Sequence, residues 1–152
     1  MQFDEGSSVS VYDRAAGVVV LDNQQRILLV KEKQGSKKGL WHIPSGSVEE
    51  GETLEQAAVR EAYEESVLQV TLNAFIGAYI GRYPDGKLVL RHAWLADVQG
   101  DQVAQPHLTD EIAEARYFTQ AEFNELYEQG KIRMHHTRLF YQDALFVLAN
   151  QP

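Results

Sequence analysis

Glu61, Glu64 and Glu65 are the residues with the clearest chemical content. Thr53 and Gln56 mark a helix start, because each side chain can cap a backbone N–H of the other's turn. That helix should run to about Ser66. The i, i+3, i+4, i+7 stripe from Leu54 reads Leu54, Ala57, Ala58, Glu61, Glu64, Glu65, Leu68. Its ends suit a core-facing stripe, but its middle puts three carboxylates on one face. Like charges so placed raise each other's pKa unless cations neutralise them. Hard divalent cations, Mg²⁺ or Mn²⁺, take oxygen ligands and suit such a cluster. The plainer alternative is a solvated acidic face with Arg60–Glu64 as a surface ion pair. Upstream, Pro44-Ser45-Gly46 turns the chain sharply. Glu52 sits at the helix entrance, where free N–H groups and the helix dipole favour anions.

Carboxylates act only if other elements hold them in place. Ala15–Leu21 and Arg26–Glu32 read as strands joined by the Asp22–Gln25 turn into a hairpin. Gln34–Gly39 is a polar loop, Leu40–Ile43 a short strand ended by Pro44, and Ser45–Glu52 a loop. Val70–Arg82 and Lys87–Val98 are strands around the Tyr83-Pro84-Asp85-Gly86 turn. Gly100–Asp110 is a polar loop and Ala113–Phe118 a strand. Thr119 with Glu122 caps a helix near 120–129 that ends at Gly130. Thr137 should cap a last helix, with Phe140, Ala144, Leu145 and Leu148 on one face. Residues 1–12 read as a loose or edge segment. Strands and helices mix without regular alternation, which indicates an α+β fold with a mixed sheet.

Composition narrows the chemistry. With 152 residues, 1–152 reads as one domain. The net charge of −8 disfavours non-specific binding to nucleic acid or an anionic membrane. A chain so acidic must recruit positive charge from a metal or from local Arg and Lys to handle phosphates. Without cysteine there is no disulfide, thiolate metal site or thiol nucleophile. The apolar runs are too short to span a bilayer. Met1–Ser10 lacks the apolar stretch of a signal peptide, so the expected compartment is the cytoplasm.

Gly46, Glu52, Arg60, Glu61, Glu64 and Glu65 together read G-x5-E-x7-R-E-A-x-E-E. This pattern resembles the 23-residue box of the Nudix hydrolase family, here Gly46–Leu68, with Ala62 and Leu68 at the box's apolar positions. The box normally carries a late glycine where this chain has Val67. A β-branched residue with φ > 0 is strained, so a rearranged helix exit is expected. Ser45 stands where many members have glycine.

The resemblance implies an α/β/α sandwich around a mixed sheet. It also implies metal-dependent hydrolysis of a nucleoside diphosphate linked to another group. Carried over by position, Glu61, Glu64 and Glu65 would ligate metal, with the Ser45 carbonyl as an extra ligand. Arg60 would orient Glu61, and Glu52 would be a further acidic member. The base varies across the family. It is either a box glutamate or a distal one, here Glu111 or Glu114 within Thr109–Ala115. Tyr83 and Pro84, near the position of subfamily markers, point both to dinucleoside polyphosphates and to ADP-ribose; nucleoside triphosphates are a further option. Arg82, Arg91, His92, Lys31 and Lys33 could meet phosphates. Trp41, Tyr79 and Tyr83 could stack a base. Phe75, Tyr79 and the last helix could form a homodimer contact or cover the core. The alternative within the same fold is a catalytically idle module that senses a nucleotide.

Overall fold

A computed structural model describes residues 11–105 and 110–151. Seven strands are built: β1 Asp13–Val20, β2 Ile27–Glu32, β3 Trp41–His42, β4 Ser45–Ser47, β5 Val70–Arg82, β6 Leu88–Val98 and β7 Ile112–Phe118. Three α-helices join them: α1 Leu54–Ser66, α2 Gln120–Glu128 and α3 His135–Ala149. The strands form two sheets. One is mixed, in the order β4-β1-β6-β5, with β1 and β6 parallel. The other is antiparallel, in the order β3-β2-β7.

Alternation along β1 explains the layering. Ala16, Val18 and Val20 face a cluster with Ala57, Ala58 and Ala62 of α1. Val19 faces the opposite way, with Ala93, Leu95 and Phe140 and Ala144 of α3. Strand side chains point alternately to opposite faces, so both faces of the sheet are buried and each takes a helix. The small alanines of α1 let it lie close to the strands. The Thr53/Gln56 and Thr119/Glu122 capping boxes are both formed.

Four expectations need correction. β1 and β2 are not a hairpin ladder: beyond the Asp22–Arg26 turn they share one isolated bridge, Leu21–Ile27, and then enter different sheets. Ser-Gly-Ser after Pro44 has little β propensity and reads as loop in sequence. Ser45–Ser47 nonetheless pairs antiparallel with β1, at Gly17, Ala16 and Ala15. Thr137 does not cap α3. Met134 occupies that position, while Thr137 lies inside the first turn, buried, its hydroxyl 2.6 Å from His42 Nδ1. At the exit of α1, Val67 takes the left-handed conformation itself, φ 66°, and its N–H still bonds to Tyr63 O. The exit keeps its glycine-like geometry with a strained residue in it.

Phe75 is half exposed against Trp94 and His92. Tyr79 instead covers the core: it packs on Phe140 and His136, and its hydroxyl bonds to Asp143. Among the described residues no helix is long and apolar enough to cross a membrane. Residues 1–10 and the 106–109 part of the polar loop lie outside the described residues.

Candidate active site

The capping box starts α1 at a fixed point, and its spacing then aims Glu61 and Glu65 at β4. Ser45 N–H donates to Glu65 Oε1 at 2.7 Å. Gly46 lies so close to Glu61 that a Cβ there would overlap its carboxylate. Only glycine permits that approach, which is the physical content of the first position of the box. Gly17, opposite Ser45 in β1, is confined in the same way by Ser45 and the Pro44 carbonyl.

Arg60 ties the outer carboxylates together. Its Nε donates to Glu52 Oε2 at 2.7 Å and its Nη2 to Glu52 Oε1 at 3.0 Å, a bidentate pair. Its Nη1 reaches Glu61 at 2.9 Å and Glu64 at 3.0 Å, and Nη2 also reaches the Ser47 carbonyl. The hydrogen bonds from Arg60 hold the Glu52 carboxyl below its ordinary range. Glu52 Oε1 also accepts the Glu49 N–H. One guanidinium therefore clamps the loop entrance to the helix.

The inner carboxylates are short of positive charge. Burial, opposed by Arg60 but reinforced by Glu64 and Glu111, pushes Glu61 up to about 7. Glu65 is 7% exposed; burial, then the charge of Glu61, raises its pKa well above the usual carboxylate range. Two neighbouring, mostly buried carboxyls beside the backbone of β4 are a donor set suited to a hard divalent cation. No three acidic or histidine side chains stand as a ready cage among the described residues. Glu61 and Glu64 are held by Arg60 instead.

The remaining predicted residues divide. Glu111, in the turn before β7, is close enough for its charge to act on Glu61 and Glu32. Glu114 is not in a loop: it is in β7, opposite Lys31, and its carboxylate is 3.2 Å from Lys31 Nζ. Lys31 is thereby engaged, and it also lies over Trp41, which is buried with Arg116 on its ring as well. Trp41 therefore offers no open face for a base. His92 is buried, with Nδ1 near the Ala15 carbonyl. Tyr83 donates its hydroxyl to Asp13, which also accepts from Ser47. Arg82, Tyr83 and Arg91 do share a cavity, together with Lys37, Arg133 and His136. Arg133 escaped the sequence reading. Its signal was slight, one of two cations just before α3, and its partner Glu32 is about a hundred residues away in sequence.

A family model for the NUDIX domain matches residues 11–139, and the chain belongs to that family. It is 36% identical over 104 residues to an ADP-ribose pyrophosphatase of Methanocaldococcus jannaschii, covering 67% of this chain and 58% of that protein. It is 32% identical over 102 residues to an NAD-capped RNA hydrolase of Vibrio vulnificus, covering 67% of this chain and 37% of that one. The chain thus spans less than two thirds of the length of these curated relatives. A solved NUDIX hydrolase from Nitrosomonas europaea shares the fold, with a TM-score of 0.75 at 23% identity over 86% of each chain.

Proposed function

We propose that this chain is a divalent-metal-dependent nucleotide pyrophosphohydrolase, cleaving the phosphoanhydride of a nucleoside diphosphate joined to a second group. The observation that carries the reading is the buried, under-neutralised pair Glu61 and Glu65 set against Ser45 and Gly46. Glu61, Glu64, Glu65 and the Ser45 carbonyl would hold Mg²⁺ or Mn²⁺. Such ions supply charge neutralisation of the diphosphate and a bound water of lowered pKa.

The chain's own residues do the rest. Ser45 N–H fixes one oxygen of Glu65 and so orients the carboxylate. Arg60 holds Glu61 and Glu64 at their charged ends, so the carboxylates keep one arrangement as charge enters. The water oxygen bonds to phosphorus, the anhydride P–O bond breaks, and the proton of the water passes to a glutamate. Glu61, raised to about 7 in the metal-free protein, and Glu111, whose charge acts on it, are the carboxylates we assign to that step. The names of the relatives, an ADP-ribose pyrophosphatase and an NAD-capped RNA hydrolase, suit the same bond class with different second groups. A nucleotide panel incubated with Mg²⁺ or Mn²⁺ tests this. Metal-dependent release of a nucleoside phosphate is expected. Nucleotide binding without turnover would instead make the chain a sensing module.

A further inference from the structure

Lys37, Arg82, Arg91, Arg133, His136 and Tyr83 surround a cavity of about 140 Å³ where the β5–β6 turn meets the start of α3. No carboxylate lines it. Among the described residues Lys37, Arg82 and Arg91 make no ion pair; Arg133 alone does, with Glu32 at 2.9 Å. Two lining residues keep a buried polar atom without a hydrogen-bond partner among the described residues, Nε of Arg133 and Nδ1 of His136. Burial, then the charge of Arg133, lowers the pKa of Arg91. Of these cations Arg91 and Arg133 are partly buried, and Arg91 has no ion pair among the described residues, only the more distant charge of Asp13 acting on it. A partly buried cation so placed is costly for a fold unless an anion joins it. The concentration is notable in a chain whose net charge is −8.

Size and position specify the anion. Pockets for drug-sized ligands run roughly 300–1,000 Å³, so this cavity suits phosphate groups and not a nucleoside. Guanidinium forks match phosphate oxygens. Arg91 is opposite Ala15 in β1, and Ala15 is opposite Ser47 in β4. Arg91 therefore lies two strand spacings, about 10 Å, from the strand that carries Ser45 and Gly46. Arg133 links the two places: it lines the cavity, and both it and its partner Glu32 act electrostatically on Glu65.

We propose that this cavity holds a further phosphate of a linear polyphosphate chain, beyond the anhydride that is cleaved. The inference rests on the pyrophosphohydrolase reading and narrows its substrates to polyphosphate-bearing nucleotides, over those whose second group is a neutral sugar. Arg82 and Arg91 would grip the phosphate oxygens, Arg133 would join them from the α3 side, and Lys37 would close the open end.

The test compares kcat/KM for ATP and diadenosine tetraphosphate with that for ADP-ribose, in the wild type and in Arg82→Gln, Lys37→Gln and Arg91→Gln. Arg82 and Lys37 are exposed, so their variants keep the experiment interpretable if Arg91→Gln folds poorly. The wild type should favour the polyphosphates at least tenfold. Arg82→Gln and Arg91→Gln should each lower that preference about tenfold or more, the scale of a lost charge-assisted hydrogen bond, and mainly through KM. Turnover with an unchanged substrate ratio in the variants would overturn the inference and leave the hydrolase standing. If no nucleotide is turned over, calorimetric titration of inorganic tripolyphosphate in EDTA decides the matter separately. Binding weakened tenfold by Arg82→Gln or Arg91→Gln supports the cavity's role; no binding, or binding indifferent to both, overturns it.

Discussion

Glu61 and Glu111 repel one another across the gap between α1 and the turn before β7, while Glu114 is spent on Lys31. The two distal glutamates therefore part company. Glu61→Gln removes a proposed metal ligand that is also a proposed base, and should cost roughly 10²–10⁴-fold in kcat, with more from lost metal affinity. Glu111→Gln should lower kcat at saturating Mg²⁺ with little change in the metal concentration required. Glu114→Gln should stay within a few-fold of wild type. Steady-state assays with a metal titration check all three, and a Glu114→Gln defect larger than that of Glu111→Gln would reverse the assignment. Spacing on one helix was enough to bring Glu61, Glu64 and Glu65 to one face, because the capping box and the 3.6-residue period are local; the role of Arg60 came only with the wider Gly46–Leu68 pattern. Arg133 and the pairing of Glu114 with Lys31 were not legible, since those contacts depend on how distant strands register.

The helix α1 is positioned at its start by Thr53 and ends on a residue poorly suited to its conformation. Val67 takes φ 66°, ψ 0°, where a β-branched side chain crowds the backbone. Val67→Gly should therefore stabilise the protein by about 1 kcal/mol, offset in part by lost apolar contact. That corresponds to a melting temperature about 2–4 °C higher for a chain of this size. Thermal unfolding monitored by circular dichroism measures it, and a lowered melting temperature would show that the Val67 side chain is worth more than the strain. This exit was the place where a local rule failed. Propensity argued for a rearranged turn, yet the packing of Leu68 and Val70 into the α1 cluster holds the chain to one path. The same limit explains β4, whose Ser-Gly-Ser has no strand signal of its own and forms only because β1 offers it an edge.

At the scale of the molecule, two sheets meet α1 on one side and α2 and α3 on the other, and His42 joins them. It is fully buried in β3, with Thr137 of α3 at its Nδ1. Burial first, then the charges of Arg133, Arg91 and His136, hold its pKa well below the ordinary 6.5. A depressed folded pKa means that the unfolded chain binds the proton more tightly. The stability tied to His42 is complete above about 6.5 and is lost as pH falls towards the folded value. Urea unfolding at pH 7.5 and 5.5 should show a loss on acidification that is smaller in His42→Asn; an equal loss in both would place the acid sensitivity elsewhere. The α+β class and the capped helices were readable because each depends on patterns within one segment. The division into two sheets was not, since Leu21–Ile27 looks the same in sequence whether its flanking strands continue as partners or separate.

On the proposed reading, the inner carboxylates of α1 bind the divalent ion that makes hydrolysis run. The most direct test of that reading is the dependence of nucleotide hydrolysis on Mg²⁺ concentration in the wild type and in Glu65→Gln. Glu65→Gln keeps the shape and a hydrogen-bond acceptor for Ser45 N–H, so folding should be preserved while a charged ligand is lost. The wild type should show no turnover in EDTA and saturable activation by Mg²⁺. Glu65→Gln should need at least tenfold more metal and reach a lower kcat. Turnover in EDTA, or a Glu65→Gln curve that overlays the wild type, would contradict the account.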